Sequence, residues 1–369
     1  MYNMAGLLTR IHHRATLEVK KTLLANRYYN WYVFSRQLSR AWEEEVKKHY
    51  QKRTEQTERG LNDLQHEEHG EKRKLVIAMC NGWVESGGLA DRLKGIISTY
   101  LLCQEIGWDF RLHFIHPFAL EDYLEPNTYD WRIDASEICY TTPDATPVTL
   151  EIGSDSRYQA KKQKEWLRQQ IRQAEGKQVH VFTNAMFAYH DQYGEAFRTL
   201  FKPSAALAHA IDKQLKTLGQ PYVSVSARFL GVLGDFQDTT KVTALPKDKQ
   251  QQLLETNLQK LEEIHLKHPN EKVLVNSDSK TFLSHAAQRP YVHTIPGQII
   301  HLDVESPQGT STYNTYEKTF LDFFMIAHAD NIYRLKTRWM HASGFPYAAS
   351  LVYGKAFHPL TFPLTPHHP

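Results

Sequence analysis

Cysteine is scarce: Cys80, Cys103 and Cys139 are the only three in 369 residues, and none stands in a CxxC pair. Three thiols cannot all pair with one another, so a disulfide scaffold is excluded and buried free thiols in a reducing compartment are expected. Apolar runs of roughly 18 residues or more are missing, which excludes a membrane-spanning helix. The N-terminus lacks a signal-peptide apolar core, and a cytoplasmic protein is expected. Charge of one sign is missing too. The formal net charge is +3, too small to argue for nucleic acid as a partner. Catalytic signatures are absent one after another. There is no GK[ST], which disfavours a P-loop NTPase. There is no HExxH or zinc-spaced His/Cys cluster despite 20 histidines, so no metal site is expected. There is no GxSxG elbow, which disfavours a hydrolase. There is no DxD of the kind that chelates a metal–diphosphate.

What is present starts with a core: the chain is 41% hydrophobic, ordinary for a globular protein. Its length implies two domains with an added segment. Residues 1–70 differ from the rest. Arg10, Arg14, Lys20, Lys21, Arg27, Arg36 and Arg40 stand against one acid, Glu18, with Tyr28, Tyr29, Trp31, Tyr32 and Phe34 among them. A basic helix bearing aromatics suits either an anionic membrane surface, at the inner face of the membrane, or a subunit contact, here through residues 1–41. The following "EEEVKKHYQKRTEQTERGLNDLQHEEHGEKRK" is almost wholly polar and reads as a solvated helix or linker.

From residue 74 the pattern alternates. Strands are expected near 74–80, 109–115, 178–182, 222–226, 272–276, 290–294 and 330–335. Helices are expected near 88–106, 158–175, 191–217, 246–268, 279–287, 312–328 and 343–356. Alternation of this kind gives parallel sheets in an α/β fold. Two groups emerge, 71–215 and 216–357, with 358–369 as a tail. Two Rossmann-like halves face one another across a cleft at the carboxyl ends of their strands.

Four stretches carry chemistry. "SGGLADRLKGI" (86–96) passes from strand to helix through glycines. Gly87, Gly88 and Leu89 let a ligand approach the backbone, and the helix N-terminus favours an anion. The plain alternative is a tight turn with local contacts from Asp91 and Arg92. "VSVSARFLGVLGDF" (223–236) ends a strand at Arg228 before a glycine-bearing loop. A guanidinium there suits a diphosphate, which it binds bidentately. "VLVNSDS" ends in Asp278, which either accepts hydrogen bonds from a base or ribose or caps the next helix. "HASGFPYAASL" opens a helix at Ser343, Gly344 and Phe345, a second anion-binding N-terminus or an ordinary capped helix.

In this order, "GGLADRLKGI", "VSVSARF…GDF", "VLVNSDS" and "ASGFPYAASL" resemble the motifs of the GT-B fucosyltransferase superfamily. That superfamily includes the rhizobial Nod-factor enzyme, the core α1,6-, the plant xyloglucan and the protein O-fucosyltransferases. The resemblance covers residues 74–357. It implies an inverting, metal-independent glycosyltransferase moving fucose from GDP-fucose to a glycan hydroxyl, on a surface polysaccharide or its precursor. It assigns Arg228 to the diphosphate as the main catalytic residue and Asp278 to the guanosine. Ser343, Gly344 and Phe345 go to the phosphates and fucose, and Gly87, Gly88 and Leu89 to the other wall. Glu85 and Asp91 are the candidate general bases. The chain departs from the family at Ser226, where a histidine is usual, at Phe229, where a second arginine is usual, and at Pro346. Two alternatives stand beside this reading: a GT-B transferase for GDP-mannose or a UDP-sugar, and a non-catalytic nucleotide- or glycan-binding module.

Overall fold

The computed structural model describes residues 27–58, 74–142, 144–151, 157–187, 190–236, 242–297, 302 and 313–364. Of the basic stretch 1–41, residues 1–26 lie outside the described residues, and side chains are described only from Arg40.

The first half opens with helix α1 (Arg27–Glu58) and strand β1 (Leu75–Cys80). Then come α2 (Leu89–Ile106), β2 (Asp109–Phe114), β3 (Leu124–Pro126), β4 (Ala145–Leu150), α3 (Arg157–Gln173) and β5 (Gln178–Thr183). The half ends with α4 (Tyr193–Leu200), β6 (Phe201–Pro203) and α5 (Ala205–Leu218). Its sheet has the order β2-β1-β5-β4, all parallel. The "LVIAMC" strand is apolar throughout because both faces are covered. Val76, Ala78 and Cys80 join the main core, while Ile77 and Met79 face the opposite side. That is the two-residue period of a strand. Helix α2 stops at Gly107, whose φ of 70° lets its N–H reach Cys103 O, the left-handed C-terminal cap that glycine permits.

The second half comprises β7 (Tyr222–Ala227), α6 (Lys247–Lys267), β8 (Lys272–Ser277), α7 (Lys280–Ala286) and β9 (Val292–His293). It continues with α8 (Tyr313–His328), β10 (Asn331–Lys336), α9 (Phe345–Val352) and β11 (Ala356–Thr361). Its sheet order is β11-β10-β7-β8-β9, again all parallel. Two parallel-sheet halves across a cleft form the GT-B arrangement that the sequence leads one to expect. Cys80, Cys103 and Cys139 are free thiols.

The structure departs from the sequence expectations in four places. The polar part of α1 is a helix, one of the two expected forms, but it is not solvated on every face. Trp42, Val46 and Tyr50, spaced by four, are buried against Ile77, Met79 and Phe182 on the outer face of the first sheet. Full burial of side chains this size is worth roughly 1.5–3 kcal/mol each, enough to dock a helix that is otherwise charged. The single helix expected at 191–217 is two, α4 and α5, interrupted by β6, which pairs with β3. Strand β4, "ATPVTL", was not expected. It sits at the sheet edge, where Pro147 forfeits no ladder bond that matters. The expected tail from 358 begins inside β11 (Ala356–Thr361), paired along β10; residues 365–369 lie outside the described residues.

The main core is continuous across the halves. It unites α2, α4 and α5 residues of the first half with Tyr316, Phe320, Phe323, Phe324, Ala348 and Val352 of α8 and α9. At one crossing a Cβ on Gly194 of α4 would overlap the Leu351 carbonyl of α9. Beside it Arg198 donates to Val352 O.

Candidate functional site

Both sheets reverse their strand order beside their first strand. In the second sheet β7 is flanked by β8 on one side and β10 on the other, and in the first β1 lies between β2 and β5. Helices after neighbouring strands therefore diverge, leaving a crevice at the strands' carboxyl ends. A cavity of about 380 Å³ occupies it, lined from both halves. This is the size of pocket that takes a small organic ligand, roughly 300–1,000 Å³.

From the first half, Gly88, Leu89, Ala90 and Asp91 form one lip. Gly88 is extended, with φ −69° and ψ 175°, and no side chain caps α2 there. The helix N-terminus thus turns toward the cavity with its dipole's positive end. Asp91 lies half-exposed on the lip and pairs with Lys94 at 2.6 Å. Arg92 points the other way. It is 1% exposed and donates to Gly87 O at 2.9 Å and His116 O at 2.8 Å, so it holds the turn. Gly87 (φ 79°) and the exposed Glu85 precede the lip and are not among the lining residues.

From the second half, Ser226, Ala227, Arg228 and Leu230 line the cavity at the end of β7. Arg228 O accepts from His341 N at 3.0 Å, fastening the β7 end to the loop after β10. Asp278 lines the cavity beside this loop. Its Oδ1 accepts from Phe229 N at 2.7 Å and its Oδ2 from Leu230 N at 2.8 Å. Burial pushes its carboxyl up from the ordinary aspartate range, opposed by those bonds and by the charge of Arg228. Leu230 has φ 53°, a left-handed conformation unusual for leucine, and the Asp278 carboxylate grips it there. The return tie runs from the same loop: Asp235 Oδ2 accepts from Ser279 Oγ at 2.7 Å and Thr281 N at 2.6 Å at the start of α7. The two aspartates lock loop and helix together, and Asp278 also faces the cavity in which the guanosine contact is expected of it.

Ser343, Gly344 and Phe345 line the cavity at the start of α9. The Ser343 hydroxyl accepts from Phe345 N at 3.2 Å, so it caps the turn. Sequence reasoning missed Thr319 and Asp322 of α8, which also line the cavity. Asp322 receives Lys318 Nζ at 2.9 and 2.7 Å, and the two side chains are only 16% and 10% exposed. Burial pushes the Asp322 carboxyl up, with Lys318 opposing. The available signal was a charged i,i+4 pair inside the apolar helix "FLDFFMIA". His341, Asn276, Ser277, Leu302 and Pro346 are further lining residues that were not expected. Among the described residues no three His, Cys, Asp or Glu side chains gather as a metal site, and no helix is long and apolar enough to cross a membrane.

No family model matches the chain, and no curated protein matches it. Among solved structures it is similar to fucosyltransferase NodZ from Bradyrhizobium, at 13% identity and a TM-score of 0.49, over 76% of this chain and 93% of that one. It is similar to Arabidopsis thaliana FUT1 in complex with GDP, at 10% identity and 0.46, over 89% and 79%. It is similar in the same way to POFUT1 in complex with GDP-fucose, at 13% identity and 0.43, over 81% and 99%.

Proposed function

We propose that the chain is a glycosyltransferase that moves a sugar, fucose, from a GDP-activated donor to a glycan hydroxyl with inversion. One observation carries the reading: Arg228 and the N-termini of α2 and α9 converge on one cavity between two parallel-sheet halves. Breaking the bond between the sugar's C1 and the diphosphate leaves the electron pair, and negative charge, on the departing oxygen. A fixed guanidinium and helix N-termini stabilise that charge with no reorganisation as it appears. The acceptor oxygen bonds to C1 from the opposite face and releases its proton to a base. Asp91, on the opposing lip, is better placed for that role than Glu85, which lies off the cavity. In this reading Arg228 does the work that a metal ion does in transferases with a DxD site.

Asp322 supports guanine as the base. Guanine offers two adjacent N–H donors to a carboxylate, whereas uracil offers a single N–H between carbonyls. A site built for those donors rejects an analogue lacking one. The test is a thermal-shift panel with GDP, IDP and UDP, followed by GDP-fucose turnover in excess EDTA. At about 100 times its dissociation constant, GDP stabilises by about 2.7 kcal/mol. GDP outranks IDP, and Asp322→Asn erases the difference. Preference for UDP moves the reading to another nucleotide sugar. Activity lost in EDTA and restored by manganese removes the arginine-based mechanism. Binding of GDP without turnover of any donor leaves a nucleotide-binding module.

A further inference from the structure

The loop between β1 and α2, residues 81–88, leads from the first sheet to the cavity lip, and little backbone pairing holds it. Trp83 N donates to the Asn81 side-chain oxygen at 3.3 Å, and Gly87 O accepts from the buried Arg92. Asn81 also hydrogen-bonds to the Tyr140 hydroxyl, and the remaining hold is aromatic. The Trp83 ring lies flat on His49 of α1, with centroids 4.3 Å apart and planes 8° from parallel. Phe182, at the end of β5, lies 6.1 Å away and 18° from parallel, and Tyr140 lies 5.1 Å away. The Arg53 guanidinium of α1 stands 5.9 Å from the Trp83 ring centre. Val84 is buried in the same cluster with Trp42, Val46 and Tyr50. Helix α1 therefore forms one wall of the slot that grips the loop. The lip is anchored separately: Leu89, Ala90 and Arg92 are 2%, 5% and 1% exposed.

We propose that Trp83 is a positioning residue. Stacked on His49, it makes α1 the support of residues 83–87 and so sets the acceptor-side approach to the cavity. The proposal rests on the glycosyltransferase reading above. Because the lip has its own anchorage, donor binding does not depend on Trp83, whereas the alignment of the attacking hydroxyl does. Misplacement by about 1 Å costs on the order of 100-fold in rate.

The test combines kinetics with amide hydrogen exchange on the full chain. Trp83→Ala lowers kcat about 10- to 100-fold and leaves donor KM and GDP affinity within about two-fold, the signature of an interaction made after binding. Trp83→Phe, which still stacks, recovers most of the loss. Amides of 82–86 exchange faster in Trp83→Ala and in His49→Ala, while those of 89–93 do not. Ile138→Ala, in the same buried cluster but in neither α1 nor the loop, lowers the melting temperature without either effect. Wild-type kcat in Trp83→Ala, a rise in donor KM alone, or unchanged exchange at 82–86 overturns the proposal. Equal damage from Phe and Ala overturns it too. If the wild-type protein neither binds GDP nor turns over a donor, the glycosyltransferase reading falls by itself, and the exchange experiment still decides whether α1 holds the loop.

Discussion

Asp278→Asn separates two roles that the sequence left together. The carboxylate is 5% exposed and each oxygen takes one backbone N–H, from Phe229 and from Leu230. Asparagine keeps one acceptor and turns the other into an NH₂ that faces an N–H. One buried amide then goes unsatisfied, and the remaining bond loses its charge assistance. Together these cost about 2–3 kcal/mol. A domain of 150–250 residues shifts by about 2–4 °C for each kcal/mol, so a fall of about 5 °C is expected in melting. Released from the carboxylate, Leu230 leaves its left-handed conformation, which costs leucine about 1–2 kcal/mol, and Arg228 moves with it. Calorimetric titration then shows GDP binding weakened about ten-fold, equivalent to 1.4 kcal/mol, and guanosine binding unchanged, because only the diphosphate feels Arg228. If guanosine binding falls as far as GDP binding, Asp278 touches the base and the positioning argument is wrong. If melting does not change, the two hydrogen bonds do not hold the loop.

Three further outcomes are expected. Arg228→Ala melts within about 0.5 kcal/mol of wild type yet loses about 100- to 1000-fold in turnover of GDP-fucose, and Arg228→Lys, which keeps the charge without the planar fork, does not rescue it; more than a tenth of wild-type turnover in Arg228→Ala contradicts the assignment. His180 is buried and held neutral, its pKa lowered to about 3 by burial and by His113, so its stabilising contribution is present above the unfolded value near 6.5 and is lost as pH falls toward 3; urea titrations at pH 7 and pH 5 differ by about 2 kcal/mol more in wild type than in His180→Gln. Glu151 is buried, and among the described residues neither carboxylate oxygen has a partner; burial raises its pKa to about 7, so its contribution is present below the unfolded value near 4.5 and is lost as pH rises through 7; Glu151→Gln therefore raises the melting temperature at pH 8 far more than at pH 5, and least at pH 4.

The parallel strands were legible because their signal is local. "KLVIAMC" and "PYVSVSA" are short apolar runs bounded by polar or turn residues, and such runs are strands buried on both faces. The lips of the cavity were legible for a similar reason, since glycines mark where a strand gives way to a helix. The edge strand β4 was not legible: Thr146, Pro147 and Thr149 carry a weak strand pattern, and only its partner β5 makes it a strand. The docking of α1 was hidden because Trp42, Val46 and Tyr50 are three apolar positions in a charged segment, and one narrow stripe is all that a half-covered sheet face requires. Asp278 was found by its place at a strand end, but its use depends on Phe229 and Leu230, forty-nine and forty-eight residues away. Lys318 and Asp322 were missed because their helix reads as core, and only the fold brings its polar turn to the cavity.

The core that runs through both halves limits how such a protein is recombined. Helices α8 and α9 belong to the second half in sequence but are embedded among α2, α4 and α5, with Gly194 seated on the Leu351 carbonyl and Phe197 packed on Phe323 and Phe324. A chimera cut at the connection near Pro221, joining one relative's first half to another's second, brings together two surfaces shaped for different partners. Exchanging only the block from β7 to β9 does not avoid this, because β10, between α8 and α9 in the chain, pairs with β7 in the same sheet. Arg228, Asp322 and the Ser343–Phe345 turn therefore stay together in any workable exchange, and the helices of the first half that pack on α8 and α9 have to be matched to them.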